Sequence, residues 1–164
     1  HYNQNLGFRS VEQLFLDDGW DSSEIWNLVV GDVNEVGVDE YNGTSGQDIL
    51  MAGINASSTL YGGDGQDVMI GDDYGKDTTF TLGNDQGGWD QVADIIQGFG
   101  LNDELDLSNL GIVDEDGLTV ESNNLFMNDG ADVTIKIAEF SNFNDGLTLE
   151  QLLTEDGAIT YSAA

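Results

Sequence analysis

The chain of 164 residues carries 32 acidic and 3 basic residues, for a formal net charge of −29, with 22 glycines, no proline and no cysteine. Three scattered cations (Arg9, Lys76 and Lys136) build no nucleic-acid surface, anionic membranes repel such a chain, and disulfides and thiolate-bound zinc have no donors. A hydrophobic content of 39% still separates it from a disordered acidic tail, and the length suits one domain, or two small ones, with a real core.

The single histidine is His1, which excludes a buried Ser-His-Asp or Cys-His constellation. Because the chain does not open on Met, we expect a piece or processed form of a longer protein. Apolar runs such as Leu14-Phe15-Leu16 and Leu28-Val29-Val30 are too short to span a bilayer. Self-repulsion among the acids opposes compaction. Hard divalent cations, which favour carboxylate and carbonyl oxygens, are the natural counterweight.

In chain order, Ser10-Val11-Glu12-Gln13 has the form of a capping box and predicts a short helix over 11–17. Trp20, Ile25, Trp26, Leu28 and Val29 read as core or as an end cap. The texture then changes. Gly62-Gly63-Asp64-Gly65-Gln66-Asp67-Val68-Met69-Ile70 fits G-G-x-G-x-D-x-U-x, where U is a large apolar residue. Gly43-Thr44-Ser45-Gly46-Gln47-Asp48-Ile49-Leu50-Met51 fits it with Thr at the second position. Residues 34–42 keep the G-x-D as Gly37-Val38-Asp39 and place Tyr41 at the apolar position. Residues 71–80 keep the pattern through Gly75 and Asp77 with one residue inserted. Residues 52–61 are the weak unit, with Ser58 where Asp belongs. Thus 34–80 comprises about five tandem units.

This nonapeptide resembles the calcium-binding repeat of the RTX (repeats-in-toxin) family. The resemblance implies an all-β fold. Its centre would be a calcium-bound parallel β-roll, a solenoid of RTX nonapeptides over 34–85. A short N-terminal helical capping segment (1–33) and a C-terminal β-rich capping and secretion region (86–164) would flank it. In such a repeat the first six residues turn tightly, with glycines supplying conformations closed to other residues. The turn directs carbonyl oxygens inward and the Asp adds a carboxylate. The last three residues form a strand with its central side chain inward. Each unit is half a coil, so alternate units stack, and one calcium bridges each stacked pair of turns.

Carried over, Asp48 and Asp67 share a calcium with the turn glycines Gly43, Gly46, Gly62, Gly63 and Gly65. Asp39 and Asp77 lie on the other side with Gly75, flanking the unit that lacks an Asp. Asp73 or Asp85 can substitute there, and Gly83-Asn84-Asp85 can close the last turn. The expected cofactor is Ca2+, about four or five ions, which offset only part of the −29 charge.

After the repeat, Asp94-Ile95-Ile96-Gln97-Gly98-Phe99 and Asp103-Glu104-Leu105-Asp106-Leu107-Ser108-Asn109-Leu110 resemble the segment that follows RTX repeats in type I secreted proteins. Gly98 stands where that segment has a second Asp, while Asp90 and Asp94 are candidate calcium ligands. The alternation of Leu105-Asp106-Leu107 predicts a strand with leucines inward. Asp114-Glu115-Asp116-Gly117 hints at an EF-hand, but Ile112 and Asn123 then fall on its first and twelfth ligand positions, so it reads as an acidic turn. Asn128-Asp129-Gly130 predicts a hairpin between 125–126 and 133–137, and Asn144-Asp145-Gly146 another turn. Thr148-Leu149-Glu150-Gln151 predicts a capped helix through Leu153, and Ala158-Ile159-Thr160-Tyr161 a terminal strand.

The expected function is therefore that of a non-enzymatic module at the C-terminus of a large secreted RTX protein, an adhesin first. Scarce cytosolic calcium would leave the chain unfolded for export by a type I machine of ABC transporter, membrane fusion protein and outer-membrane channel. Calcium outside would fold it, as a monomer, at the surface of a Gram-negative bacterium, without nucleic-acid binding or membrane insertion. The alternative is a calcium-binding accessory module of a secreted polysaccharide-modifying enzyme, protease or lipase. Acid pairs such as Asp17/Asp18 and Glu104/Asp106 are chance pairs in so acidic a chain, not a glycosidase centre.

Overall fold

A recurring D-x-U unit, with its apolar residue two places after the Asp position, sets the architecture. In a strand, residues two apart share a face. The computed structural model describes residues 27–30, 38–54, 56–72, 76–83, 92–128, 134–143 and 146–163. Its strands are β1 (Asn27–Val30), β2 (Val38–Asn42), β3 (Asp48–Met51), β4 (Ser57–Tyr61), β5 (Val68–Ile70), β6 (Thr78–Thr81), β7 (Asp94–Gln97) and β8 (Glu104–Asp106), then β9 (Leu118–Glu121), β10 (Asn124–Asn128), β11 (Thr134–Ser141) and β12 (Ile159–Thr160).

Successive strands up to β8 alternate between two sheets. One has seven strands in the order β1-β3-β5-β7-β11-β10-β9, the other five in the order β12-β8-β6-β4-β2. Pairing is parallel throughout the five-stranded sheet. In the seven-stranded sheet it is parallel from β1 to β11 and antiparallel from β11 through β10 to β9.

The apolar positions face one another across the gap between the sheets. Leu50, Met69 and Ile96 stand in register on the first sheet and continue onto Phe140. Leu60, Phe80 and Leu105 do so on the second. All seven are buried, each worth about 1.5–3 kcal/mol of transfer free energy. Phe99, from the loop after β7, fills the middle of the sandwich. It lies 5.7 Å from Phe80 and 5.5 Å edge-on from Phe140, ring centre to ring centre.

The expected fold, an all-β single parallel β-roll with separate caps, is corrected. The chain forms a sandwich of two sheets, one parallel and one mixed. The physical reason lies in the chain after 110. Two connections that are short in sequence join β9, β10 and β11, which run antiparallel. The edge of β7 then accepts β11, with Ala138 to Ser141 opposite Asp94 to Gln97, and the hairpins extend the repeat sheet itself. The expected helix over 11–17 lies outside the described residues. The helix Leu149–Leu153 does open on the box read from the sequence. The Thr148 hydroxyl accepts from the Gln151 amide, and the Gln151 side chain accepts from Thr148. Glu115–Gly117 is a turn of 3-10 helix capped by the Asp114 carboxylate, with none of its residues buried. Among the described residues no helix is long and apolar enough to cross a membrane.

Candidate metal centre

Residues 43–47 and 62–66 enter β3 and β5, and the parallel pairing of those strands lays one turn over the other. The close stacking depends on glycine. Gly63 and Gly65 hold φ of 96° and 105°, a region that side chains oppose. A Cβ at Gly63 would collide with the Thr44 carbonyl oxygen, and one at Gly65 would sit 2.8 Å from the Gly46 carbonyl oxygen. At Gly43 a Cβ would meet the Gly62 carbonyl oxygen and the Asp48 carboxylate. The space that side chains would fill is thus faced by main-chain oxygens of Thr44, Gly46 and Gly62.

Beside these turns runs a ladder of buried carboxylates. The Asp48 amide donates to Oδ1 of Asp67 at 2.9 Å, and the Asp67 amide donates to Oδ1 of Asp94 at 3.0 Å. Asp48 itself accepts from the Thr44 amide and hydroxyl. Asp48 and Asp67 are fully buried and Asp94 is 3% exposed. Desolvation raises the Asp48 carboxyl above its ordinary value, with the two Thr44 hydrogen bonds opposing. Carboxylates held this way have given up much of their hydration. The ion pair of Lys136 with Glu139 lies on β11, outside the ladder.

Hard oxygen donors of this kind, carbonyls with carboxylates, match the preference of calcium, which takes about six to eight oxygens. The residues present fit the ion. Among the described residues no group of three or more His, Cys, Asp or Glu side chains is placed to hold a metal ion.

The structure brings Gly43, Gly46, Asp48, Gly62, Gly63, Gly65 and Asp67 together and places Asp94 next along the same ladder. Asp39 and Asp77 belong to the five-stranded side. Asp39 is half-buried and accepts from the Tyr41 hydroxyl at 3.2 Å. Asp77 is exposed because Thr78, not Asp77, stands opposite Ser58 in the β4–β6 register. The inserted residue of that unit shifts the carboxylate out of the ladder. Ser58 replaces an Asp by local means, its hydroxyl accepting from the Gly53 amide at 3.0 Å. Asp73, Gly75, Asp85 and Asp90 lie outside the described residues.

Asp103 stands next along this side, opposite Thr78. Its two oxygens accept from the Thr78 and Gly100 amides, each at 2.8 Å. Burial pushes its carboxyl up to about 7, opposed by those hydrogen bonds and reinforced by the charges of Asp72 and Asp77. Neither Asp103 nor Asp72 was expected as part of this chemistry. For Asp103 the signal was present: Asp103-Glu104-Leu105 repeats the D-x-U of Asp67-Val68-Met69 and Asp94-Ile95-Ile96, though like Asp94 it lacks the Gly two residues before the Asp.

No protein-family model matches the chain, and no curated protein matches it.

Proposed function

We propose that the stacked turns at 43–48 and 62–67 bind calcium, and that the chain is an RTX-type module whose folding calcium controls. The observation that carries this reading is the pair of superimposed glycine turns with carbonyl oxygens in the gap, beside the Asp48–Asp67–Asp94 ladder.

A bound calcium supplies positive charge to these buried oxygens. Thr44, Gly46 and Gly62 offer carbonyls, and Asp48 and Asp67 offer carboxylates fixed by strand pairing. Without the ion, 32 acids against 3 bases disfavour the compact chain. Each site filled only in the folded state, at about ten times its Kd, adds about 1.4 kcal/mol. Several together approach the stability of a small domain, about 5–15 kcal/mol.

The physiological role proposed on this basis is non-enzymatic. The chain stays unfolded in a calcium-poor cytosol and leaves through a type I secretion channel. It then folds outside, where extracellular calcium modules bind with Kd of about 10⁻⁴–10⁻³ M. Its place is the surface of a Gram-negative bacterium, as the C-terminal part of a large adhesin.

The test is a calcium titration of the EDTA-treated protein followed by far-ultraviolet circular dichroism, with magnesium as control. A cooperative gain of β-structure at submillimolar to millimolar calcium, absent with magnesium, is expected. Asp48→Ala and Asp67→Ala are each expected to shift the midpoint to higher calcium. A fully folded spectrum in EDTA that calcium leaves unchanged would overturn the reading.

A further inference from the structure

The two sheets do not end together. β9 is the edge strand of the seven-stranded sheet and β12 that of the five-stranded one, and both line one groove together with the helix Leu149–Leu153. Core-facing residues at that seam are left half-covered. Leu118 and Val120 of β9, Leu153 of the helix and Ile159 of β12 pack against the core yet line a groove of about 540 Å³. Around this apolar floor stand Glu115, Glu150, Glu155 and Asp156, all exposed, and among the described residues no basic side chain lines the groove.

We propose that this groove docks a cationic amphipathic polypeptide segment, with lysine or arginine flanking a short apolar stretch. The apolar side chains of such a segment cover the floor. The lysine or arginine stems follow them while the charged heads reach the rim carboxylates in water. Charge complementarity selects this occupant. The rim repels acidic peptides, nucleic acids and anionic lipid, and speeds the approach of a basic partner. Tyr161 reports the same field within the groove, because burial and then the charges of Glu115 and Asp114 raise its hydroxyl above the ordinary value. The groove contains none of the stacked-turn residues, so this inference stands independently of calcium binding.

The experiment uses three short fluorescent peptides with the full, folded chain: one of central leucines flanked by lysines, one with serine for leucine, and one with glutamate for lysine. Anisotropy is expected to show binding of the first and at least about tenfold weaker binding of the other two. Amide shift changes are expected to concentrate at 118–125 and 149–161. Leu153→Asn and the double variant Glu155→Gln/Asp156→Asn are each expected to weaken binding about tenfold. The rim pair is exposed, so that variant tests the groove even if the Leu153 change disturbs folding. Glu40→Gln, on β2 at the far edge of the five-stranded sheet, is expected to leave binding unchanged. Equal binding of the serine peptide, equal loss with Glu40→Gln, shift changes spread over the whole surface, or no binding would each overturn the proposal.

Discussion

Gly63 and Gly157 share a left-handed backbone, with φ of 96° and 85°, but differ in what surrounds them. Nothing lies within 4 Å of a Cβ built at Gly157, whereas at Gly63 the Thr44 carbonyl of the neighbouring turn blocks it. Gly157→Ala therefore carries the conformational penalty alone, about 1–2 kcal/mol. Gly63→Ala adds a collision with main chain that cannot rotate away. It is expected to cost at least about 1–2 kcal/mol more and to raise the calcium midpoint. Chemical denaturation of both variants at fixed calcium checks this. Equal losses would show that the two turns do not press on each other. At this scale the sequence is easy to read, because glycine at each turn has a local cause. Asp77 shows the limit. Its spacing fits G-x-D, but whether Asp77 or Thr78 enters the ladder depends on where the inserted residue is absorbed. Only the pairing of β4 with β6 decides that.

Among the elements, the helix Leu149–Leu153 was legible to the residue because its start signal is local. Thr148 and Gln151 satisfy each other's backbone groups, and Leu149 and Leu152 are buried. In so short a helix packing outweighs the cap. Thr148→Ala is expected to cost about 1 kcal/mol. Leu149→Ala is expected to cost about 2–5 kcal/mol, because it opens a cavity under the sandwich. Thermal melts of the two variants give the order, and a larger loss from Thr148→Ala would mean that the helix stands without its contact to the core. The pairing of β10 with β11 was also legible, since its turn residues and flanking strands sit within one short stretch, whereas β9 and its pairing with β10 were not expected. The partner of β11 was not. Its parallel pairing with β7 joins segments far apart in the chain, and no local signal marks which strand edge will receive it. That pairing makes the difference between a parallel solenoid with a separate cap and the mixed sheet observed.

For the molecule as a whole, the raised carboxyls predict an inverted response to pH in the calcium-free protein. Paired surface acids usually make acid destabilising, because their carboxyls lie lower in the folded state than in the unfolded one. Here two buried carboxyls run the other way. Asp103 rises to about 7, mainly through burial, and Asp48 is also raised by desolvation. An unfolded Asp titrates near about 3.9. Between those values the folded state holds protons that the unfolded state has released. The stabilisation is therefore fully present below about pH 4 and is lost as pH rises through about 7. At about 1.4 kcal/mol for each pH unit of that window, Asp103 alone contributes on the order of 2–4 kcal/mol to the fall. The net charge of −29 acts in the same direction, since protonation relieves repulsion most in the compact state. Far-ultraviolet circular dichroism in EDTA is thus expected to show β-structure increasing as pH falls from about 7 toward about 5. Asp103→Asn, which has no proton to take up, is expected to flatten much of the slope. Calcium at saturation is expected to flatten what Asp48 contributes, because a carboxylate holding a cation no longer gains from a proton. If β-structure in EDTA does not increase on acidification, the charge of the buried acids does not set the folding of the calcium-free chain.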